Sequence, residues 1–258
     1  MKKYSFSLLI FLTACQQPGK KAAEEEWIQL FNGKDLSGWT MKLSGYELNN
    51  NFNNTFRVED GRLKVCYDEY TKFNGEYGHL FYNDKYSHYI LRVEYRFVGE
   101  QVHGGQRWAF KNSGVMFHAQ PAESMGTDQD FPVSLEAQFL GGSGEGERPT
   151  ANLCTPGTNV YFCDTLVIQH CINSTSKTYH GEEWVTIELH VFGDSIIHHI
   201  IEGDTVLTYT KPHIGGSHLP EGYPVPVGTP LKEGYIALQA ESHPIHFRKI
   251  ELLDMKKK

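Results

Sequence analysis

The sequence predicts an all-β fold in which two antiparallel sheets share one core. Three observations carry this. Period-two alternation of apolar and polar residues recurs along the chain, almost nothing repeats at the helical period, and Gly, Asn and Asp punctuate the alternating runs. The runs come in order: G-R-L-K-V-C-Y at 61–67, Y-I-L-R-V-E-Y-R-F-V at 89–98, S-G-V-M-F-H-A-Q at 113–120 and V-S-L-E-A-Q-F at 133–139. W-V-T-I-E-L-H-V-F at 184–192, S-I-I-H-H-I-I at 195–201, T-V-L-T-Y-T at 205–210, G-Y-I-A-L-Q-A at 234–240 and I-H-F-R-K-I-E-L at 245–252 complete the set. Each offers one apolar face and one polar face, as a strand must when only one side of its sheet meets the core. The turns G-D at 193 and E-G-D at 202 separate runs short enough to pair as hairpins.

The first fifteen residues are read as a targeting device and not as fold. Lys2 and Lys3 precede an apolar run from Tyr4 to Leu12, too short for a permanent membrane span. The run ends in Leu12-Thr13-Ala14-Cys15, which resembles the lipobox at which bacterial lipoproteins are cleaved and lipidated on cysteine. Residues 16–26 hold nothing that could build a core and read as a flexible tether. Residues 27–258 are 232 residues, within reach of one large β-sandwich domain. The expected location is periplasmic or outer-membrane attached, with membrane contact through the lipid alone. Lys2 and Lys3 fall in the leader, so the remaining chain has 22 basic against 31 acidic residues, a net charge of −9. That sign disfavours nucleic acid as a partner.

Four cysteines follow the leader: Cys66, Cys154, Cys163 and Cys171. N-V-Y-F-C-D-T-L-V-I-Q-H reads as a hairpin turning near Cys163 and Asp164, which brings Cys154 opposite Cys171 at disulfide range. Cys66 and Cys163 are left free.

Alternation at 133–139 sends Val133, Leu135, Ala137 and Phe139 to one face and Ser134, Glu136 and Gln138 to the other. A carboxylate and an amide about 7 Å apart along a strand could grip one sugar ring, and the carboxylate could also move a proton. The competing reading is a wet face with no role. In 112–120, Gly114, Met116, His118 and Gln120 share a face, and a glycine within a strand often marks close approach by a ligand or another backbone. His118 is thereby a candidate base, acid or metal ligand, with a surface histidine as its rival; Asn112 is a weaker candidate that could close a turn. His198 and His199 cannot face one site together: if Ile197 and Ile201 are core, so is His199, and if Ile196 and Ile200 are core the assignment reverses. Gln239 and Glu241 share a face with Tyr235, and Arg96 and Arg248 are expected to pair with carboxylates. The segments 41–55, 99–112, 121–131, 141–158 and 211–233 are too long for tight turns and are where a rigid sandwich tends to carry function. No H-E-x-x-H, C-x-x-C, EF-hand loop, G-x-S-x-G, P-loop or G-x-G-x-x-G is present, which removes the metal, serine-hydrolase and nucleotide readings that rest on a local motif.

W-I-Q-L-F-N-G-K-D-L-S-G-W at 27–39, N-S-G-V-M-F at 112–117, L-E-A-Q-F at 135–139 and G-Y-I-A-L-Q-A-E-S-H-P-I-H-F-R-K-I at 234–250 resemble, in order, the 3-keto-disaccharide hydrolase family. The resemblance implies a jelly roll of the concanavalin A-like lectin and glucanase type with a saccharide site on the concave face. It places Glu136 and Gln138 in that site, favours His199 over His198, and covers the strand that carries Glu241, a further candidate substrate contact; His79, in Y-G-H-L-F-Y on another strand, is a candidate contact on residue type alone. It also allows a divalent metal, left unassigned; the acidic D-Q-D at 128–130 reads as a solvated loop.

The leading expectation is an enzyme acting on glycosides oxidised to a ketone at carbon 3. The ketone acidifies the proton on carbon 2, so one base and one enolate stabiliser suffice to expel the glycosidic oxygen. Glu136 or His118 is the expected base, with Gln138, another histidine or a metal at the oxyanion. The rivals are a carbohydrate-binding module without turnover, and a conventional glycosidase with Glu241 or Glu188 as second carboxylate.

Overall fold

The computed structural model describes Met1 and residues 26–257, and within them the chain forms strands and short 3-10 turns. The leader, the lipobox Cys15 and the tether up to residue 25 lie outside the described residues. In chain order the strands are β1 (Ile28–Gln29), β2 (Trp39–Leu43), β3 (Phe56–Glu59), β4 (Arg62–Val65), β5 (Gly78–Tyr82) and β6 (His88–Phe97). Next come β7 (Asn112–Ala119), β8 (Leu135–Leu140), β9 (Asn152–Cys154), β10 (Thr158–Phe162), β11 (Thr165–Val167) and β12 (Cys171–Ile172). The last are β13 (Val185–Phe192), β14 (Ile196–Ile201), β15 (Asp204–Ile214), β16 (Tyr235–Ala240) and β17 (Ile245–Asp254).

All pairings between them are antiparallel, and they make two sheets. One runs β11-β10-β15-β14-β13-β6-β17-β4-β3, with β1 added against β17; the other runs β12-β9-β8-β7-β16-β5-β2. The core between them is filled by the apolar faces that alternation assigns: Val115, Phe117, Leu135, Ala137, Phe139, Leu80 and Leu238 from the smaller sheet meet Leu91, Val93, Tyr95, Ile187, Leu189, Ile197, Tyr209 and Phe247 from the larger. Tyr95 and Phe139 stack across the gap with ring centroids 4.0 Å apart. Burial of this continuous apolar layer is the main term holding the sheets together.

The larger sheet's outer face is a charged lattice. Arg92 bonds Glu188 at 2.7 Å and Glu251 at 2.6 Å, Arg248 pairs with Glu94, and the guanidiniums of Arg96 and Arg248 lie against the Trp184 ring at 4.7 and 4.4 Å. Glu188 is spent there, on the opposite layer from Glu136, so it is not a second carboxylate for that residue.

Two histidine expectations are corrected by the fold. His199 lies on β14 with Ile197 and Ile201 and points into the core: its Nδ1–H donates to the Ala151 carbonyl at 2.9 Å and its Nε2 accepts from the Tyr209 hydroxyl at 2.9 Å. His118 has a backbone φ of 46° at an irregularity in the β16–β7 register, between the Tyr235 and Ala237 pairings. That left-handed residue breaks the alternation, as a bulge does. The imidazole turns away from Glu136 and donates from Nε2 to the Gly193 carbonyl at 3.1 Å, on the other sheet's β13–β14 turn. Burial pushes both rings down to about 4, so both are neutral ties.

Candidate functional site

The outer face of the smaller sheet carries its polar residues in rows, because every second residue of each strand projects there and register aligns them. One row follows from Lys42↔His79 and His79↔Gln239, reaches Gly114, one residue beyond the Leu238↔Val115 pair, and continues through Gly114↔Gln138 and Gln138↔Asn152. The next row is Thr40, Phe81, Ala237, Met116, Glu136, Cys154 and Cys171. Asn112 and Glu241, the latter one residue past β16, lie beyond the other side of the first row.

Gly114 is the open place among these side chains. A Cβ there would lie 2.8 Å from Glu136 Oε1 and 3.0 Å from both Glu136 Cγ and the Ala137 carbonyl. The Glu136 side chain therefore lies over the glycine, directed from its own row towards the Asn112–Glu241 end.

The long connections wall this face. A cavity of about 1320 Å³ is lined on its floor by Asn112, Glu136, Gln138 and Glu241. Its walls come from the loop before β7 (Gln101, Trp108, Phe110), the loop before β8 (Phe131), the loop after β8 (Glu145, Arg148) and the turns bearing His170 and His218. Arg148 staples two of these walls, donating from Nη1 to the Gly141 carbonyl at 2.6 Å and from Nη2 to the Trp108 carbonyl at 3.3 Å. Trp108 is half-exposed at the rim and lies nearly parallel to Tyr77, 6.0 Å between centroids. Apolar walls with a few convergent polar groups are the make-up of a small-molecule site.

Several polar atoms on this face are buried without a hydrogen-bond partner among the described residues: Asn112 Oδ1 and Glu241 Oε2 on the cavity floor and, beneath it, both His79 ring nitrogens and both Gln239 amide atoms. Each such group costs free energy unless water or a ligand satisfies it, so Asn112 and Glu241 leave the cavity floor with hydrogen-bonding capacity to spare. His79 is on this face but roofed by Phe131, 6.0 Å between centroids, and burial with help from the Lys42 charge lowers it to about 3. It is a neutral group beneath the site and does not line the cavity.

The electrostatics of the floor centre on two carboxyls. Burial raises Glu136 to about 8. Glu241 is raised well above the carboxylate range, first by burial and then by the charge of Glu136, with Arg148 acting against both. A buried carboxyl with a raised proton affinity is poised for acid–base work near neutral pH.

For a metal, the one compact group of histidine, cysteine and carboxylate donors among the described residues is Cys154, His170 and Cys171, all within 4.8 Å. Cys154 and Cys171 pair directly across β9 and β12 and are joined in a disulfide, which leaves His170 as the only free donor of the three. In the D-Q-D loop, Asp130 accepts from the Ser44 hydroxyl at 2.8 Å. With that disulfide formed, these three residues do not make a metal centre.

Of the residues expected from sequence, Glu136, Gln138, Asn112 and Glu241 share the cavity floor, His79 lies beneath it, and His118 and His199 are elsewhere. Arg148, Trp108, Phe131 and His170 went unrecognised. They sit on loops, where no periodicity tells which way a side chain points; only the length and composition of the loops signalled them.

The comparisons agree with this architecture. Among curated proteins, none matches the sequence. Two solved structures from Parabacteroides distasonis, each described as a candidate glycosyl hydrolase, superpose over 89% of this chain. One has 19% identity, covers 100% of its own length and has a TM-score of 0.51; the other has 17% identity, 94% and 0.54. At such identity the likeness shows a shared fold. A family model matches residues 26–253, nearly the whole described chain, and on that match the protein belongs to the family of 3-keto-alpha-glucoside-1,2-lyase-like domains.

Proposed function

We propose that this protein cleaves 3-keto-glycosides, removing the proton on carbon 2 and expelling the glycosidic oxygen, with Glu136 as the base. The observation that carries this is the position of Glu136: a buried carboxyl of raised proton affinity laid over Gly114 on the floor of a polar cavity, within a family described by that chemistry. A carboxylate in water is a slow base towards a proton on a carbon next to a ketone, whereas a desolvated one is more basic. Gln138 and Asn112 offer amide donors to ring hydroxyls and to the developing enolate oxygen, since such donors count most where charge appears. The Gln138 carbonyl accepts from Asn152 at 3.1 Å, which leaves its amide N–H groups for the cavity. Trp108 at the rim supplies an apolar face for a pyranose ring.

A conventional glycosidase would work on unoxidised sugars and a binding module would release nothing. The test is to incubate the protein with a 3-keto-glucoside and, separately, its parent glucoside. Release of the aglycone from the keto compound alone supports the reading; equal release from both, or binding without release, overturns it. As part of the same proposal, Cys15 carries the lipid that holds the enzyme at a membrane. Phase partitioning into detergent that Cys15→Ser abolishes would support this; unchanged partitioning would remove it.

A further inference from the structure

Glu136 and Glu241 approach the same gap from different strands. Glu136 comes from β8 over Gly114, and Glu241 comes off the end of β16 at the Asn112 side. Both line the cavity, and both are almost fully buried, with 6% and 3% exposure. Glu241 Oε2 has no hydrogen-bond partner among the described residues. The neighbouring cation, Arg148, spends its Nη1 and Nη2 hydrogen bonds on the carbonyls of Lys111, Gly141 and Trp108, so it bears on Glu241 through space without an ion pair. The other titratable groups acting with Glu241 are the Tyr67 and Tyr77 hydroxyls. Two carboxyls in one desolvated pocket with no paired cation cannot both be ionised cheaply, so the pair retains a proton while one member carries charge.

From this geometry we infer that Glu241 is a second catalytic residue, the acid that protonates the departing glycosidic oxygen, and that it shares one proton with Glu136. The inference rests on the 3-keto-glycoside reading and specifies the partner that reading lacks.

The step balances. The Glu136 carboxylate takes the carbon-2 proton, and the electron pair of the broken C–H bond passes into the enolate. As the enolate collapses back to the ketone, a double bond forms between carbons 1 and 2 and the bond from carbon 1 to the glycosidic oxygen breaks. The Glu241 carboxyl gives its proton to that oxygen, which leaves as an alcohol. The pair still holds one proton, now on Glu136. Adding water across the new double bond reverses the assignment: Glu241 accepts a proton from water, hydroxide bonds carbon 1, and Glu136 returns its proton to carbon 2. No oxidant, reductant or outside acid is consumed.

The experiment compares Glu241→Gln and Glu136→Gln on two 3-keto-glucosides, one with an alkyl alcohol and one with 4-nitrophenol as leaving group. Both substitutions conserve shape and remove a buried ionisable group, so folding is expected to survive. If Glu241 is the acid, Glu241→Gln lowers kcat/KM about 10²-fold or more on the alkyl compound and less than about tenfold on the nitrophenyl compound, whose leaving oxygen needs no proton. Glu136→Gln lowers both alike. Equal losses on both substrates with Glu241→Gln would overturn the acid role. Carboxyl carbon NMR titration of the wild type provides a readout without turnover: one carboxyl ionises near pH 8 while the other stays protonated there, and both ionised at pH 7 would overturn the shared proton. Were the wild type to turn over neither keto compound, the proposed activity would fail together with the acid role, and the titration would then report on the proton pair alone.

Discussion

Replacing Gly114 with alanine tests the placement of Glu136 without touching any ionisable group. The glycine lies in β7 and is not among the residues with positive φ, so the backbone itself accepts an alanine. The obstacle is contact. The new methyl would sit 3.0 Å from the Ala137 carbonyl and 2.8 Å from Glu136 Oε1, where ordinary contact begins at 3.4 Å. The carbonyl belongs to a residue paired with Val115 on one side and Leu153 on the other, so it is held. The Glu136 side chain must yield, and a shift of roughly half an ångström to one ångström of a reacting group costs on the order of 10² in rate. Crowding costs about 1–3 kcal/mol of stability, partly offset by about 0.5–1 kcal/mol from the lower unfolded-state entropy of alanine. The net loss, at most about 2.5 kcal/mol, corresponds to a Tm drop of up to roughly 10 °C for a chain of this length. Steady-state kinetics on a 3-keto-glucoside and a thermal melt measure both. A folded Gly114→Ala protein with wild-type kcat/KM would refute the claim that Glu136 acts from over this residue.

Other outcomes follow from the same structure. The raised affinity of Glu136 means the folded chain binds more protons than the unfolded one between the ordinary value of 4.5 and about 8. That contribution to stability is therefore complete below 4.5 and is lost as pH climbs through 8, at a slope of at most about 1.4 kcal/mol per pH unit. Urea melts at pH 5 and pH 8 should show Glu136→Gln changing less between the two than the wild type, and parallel changes would contradict the burial account. Activity, which needs the carboxylate, should rise over the same approach to pH 8, and a flat kcat/KM profile from pH 5 to 8 would contradict it. Cys154→Ser opens a loop of 17 residues and should cost about 3 kcal/mol, read as a lower Tm that reductant also produces in the wild type. His118→Ala should keep kcat/KM within about threefold while lowering Tm, since its ring ties β7 to the Gly193 turn and does not face the cavity; a loss of about 10² would return it to the chemistry. Trp108→Ala should raise KM by roughly tenfold with little effect on kcat, the size expected for one lost stacking face.

How much of this was readable in the residues depended on whether alternation held. Along 133–139 it held without a break, so the outward pair Glu136 and Gln138 and the inward set Leu135, Ala137 and Phe139 were legible, and the two-sheet sandwich followed from many such runs. At His118 it failed, because a single residue with left-handed φ turns the chain, and the bulge has no glycine or asparagine to announce it. On β14 apolar residues occupy both faces, so His198 and His199 could be assigned only by knowing which side the other sheet covers. The hairpin around Cys163 was visible from its turn, and Cys154 and Cys171 pair across β9 and β12 as strand register requires. Arg148, Trp108 and Phe131 were not visible, since a loop residue's direction is set by tertiary contacts such as the carbonyls Arg148 caps.

The central claim is that this cavity removes the proton on carbon 2 with Glu136. The most direct measurement is to hold a 3-keto-glucoside with the protein in deuterium oxide and follow the carbon-2 proton signal by NMR alongside aglycone release. Deuterium should appear at carbon 2 of the sugar only with the wild-type protein, and Glu136→Gln should abolish both its incorporation and the release of the aglycone. Aglycone release by Glu136→Gln at the wild-type rate, or release from the wild type with the carbon-2 proton fully retained, would contradict it.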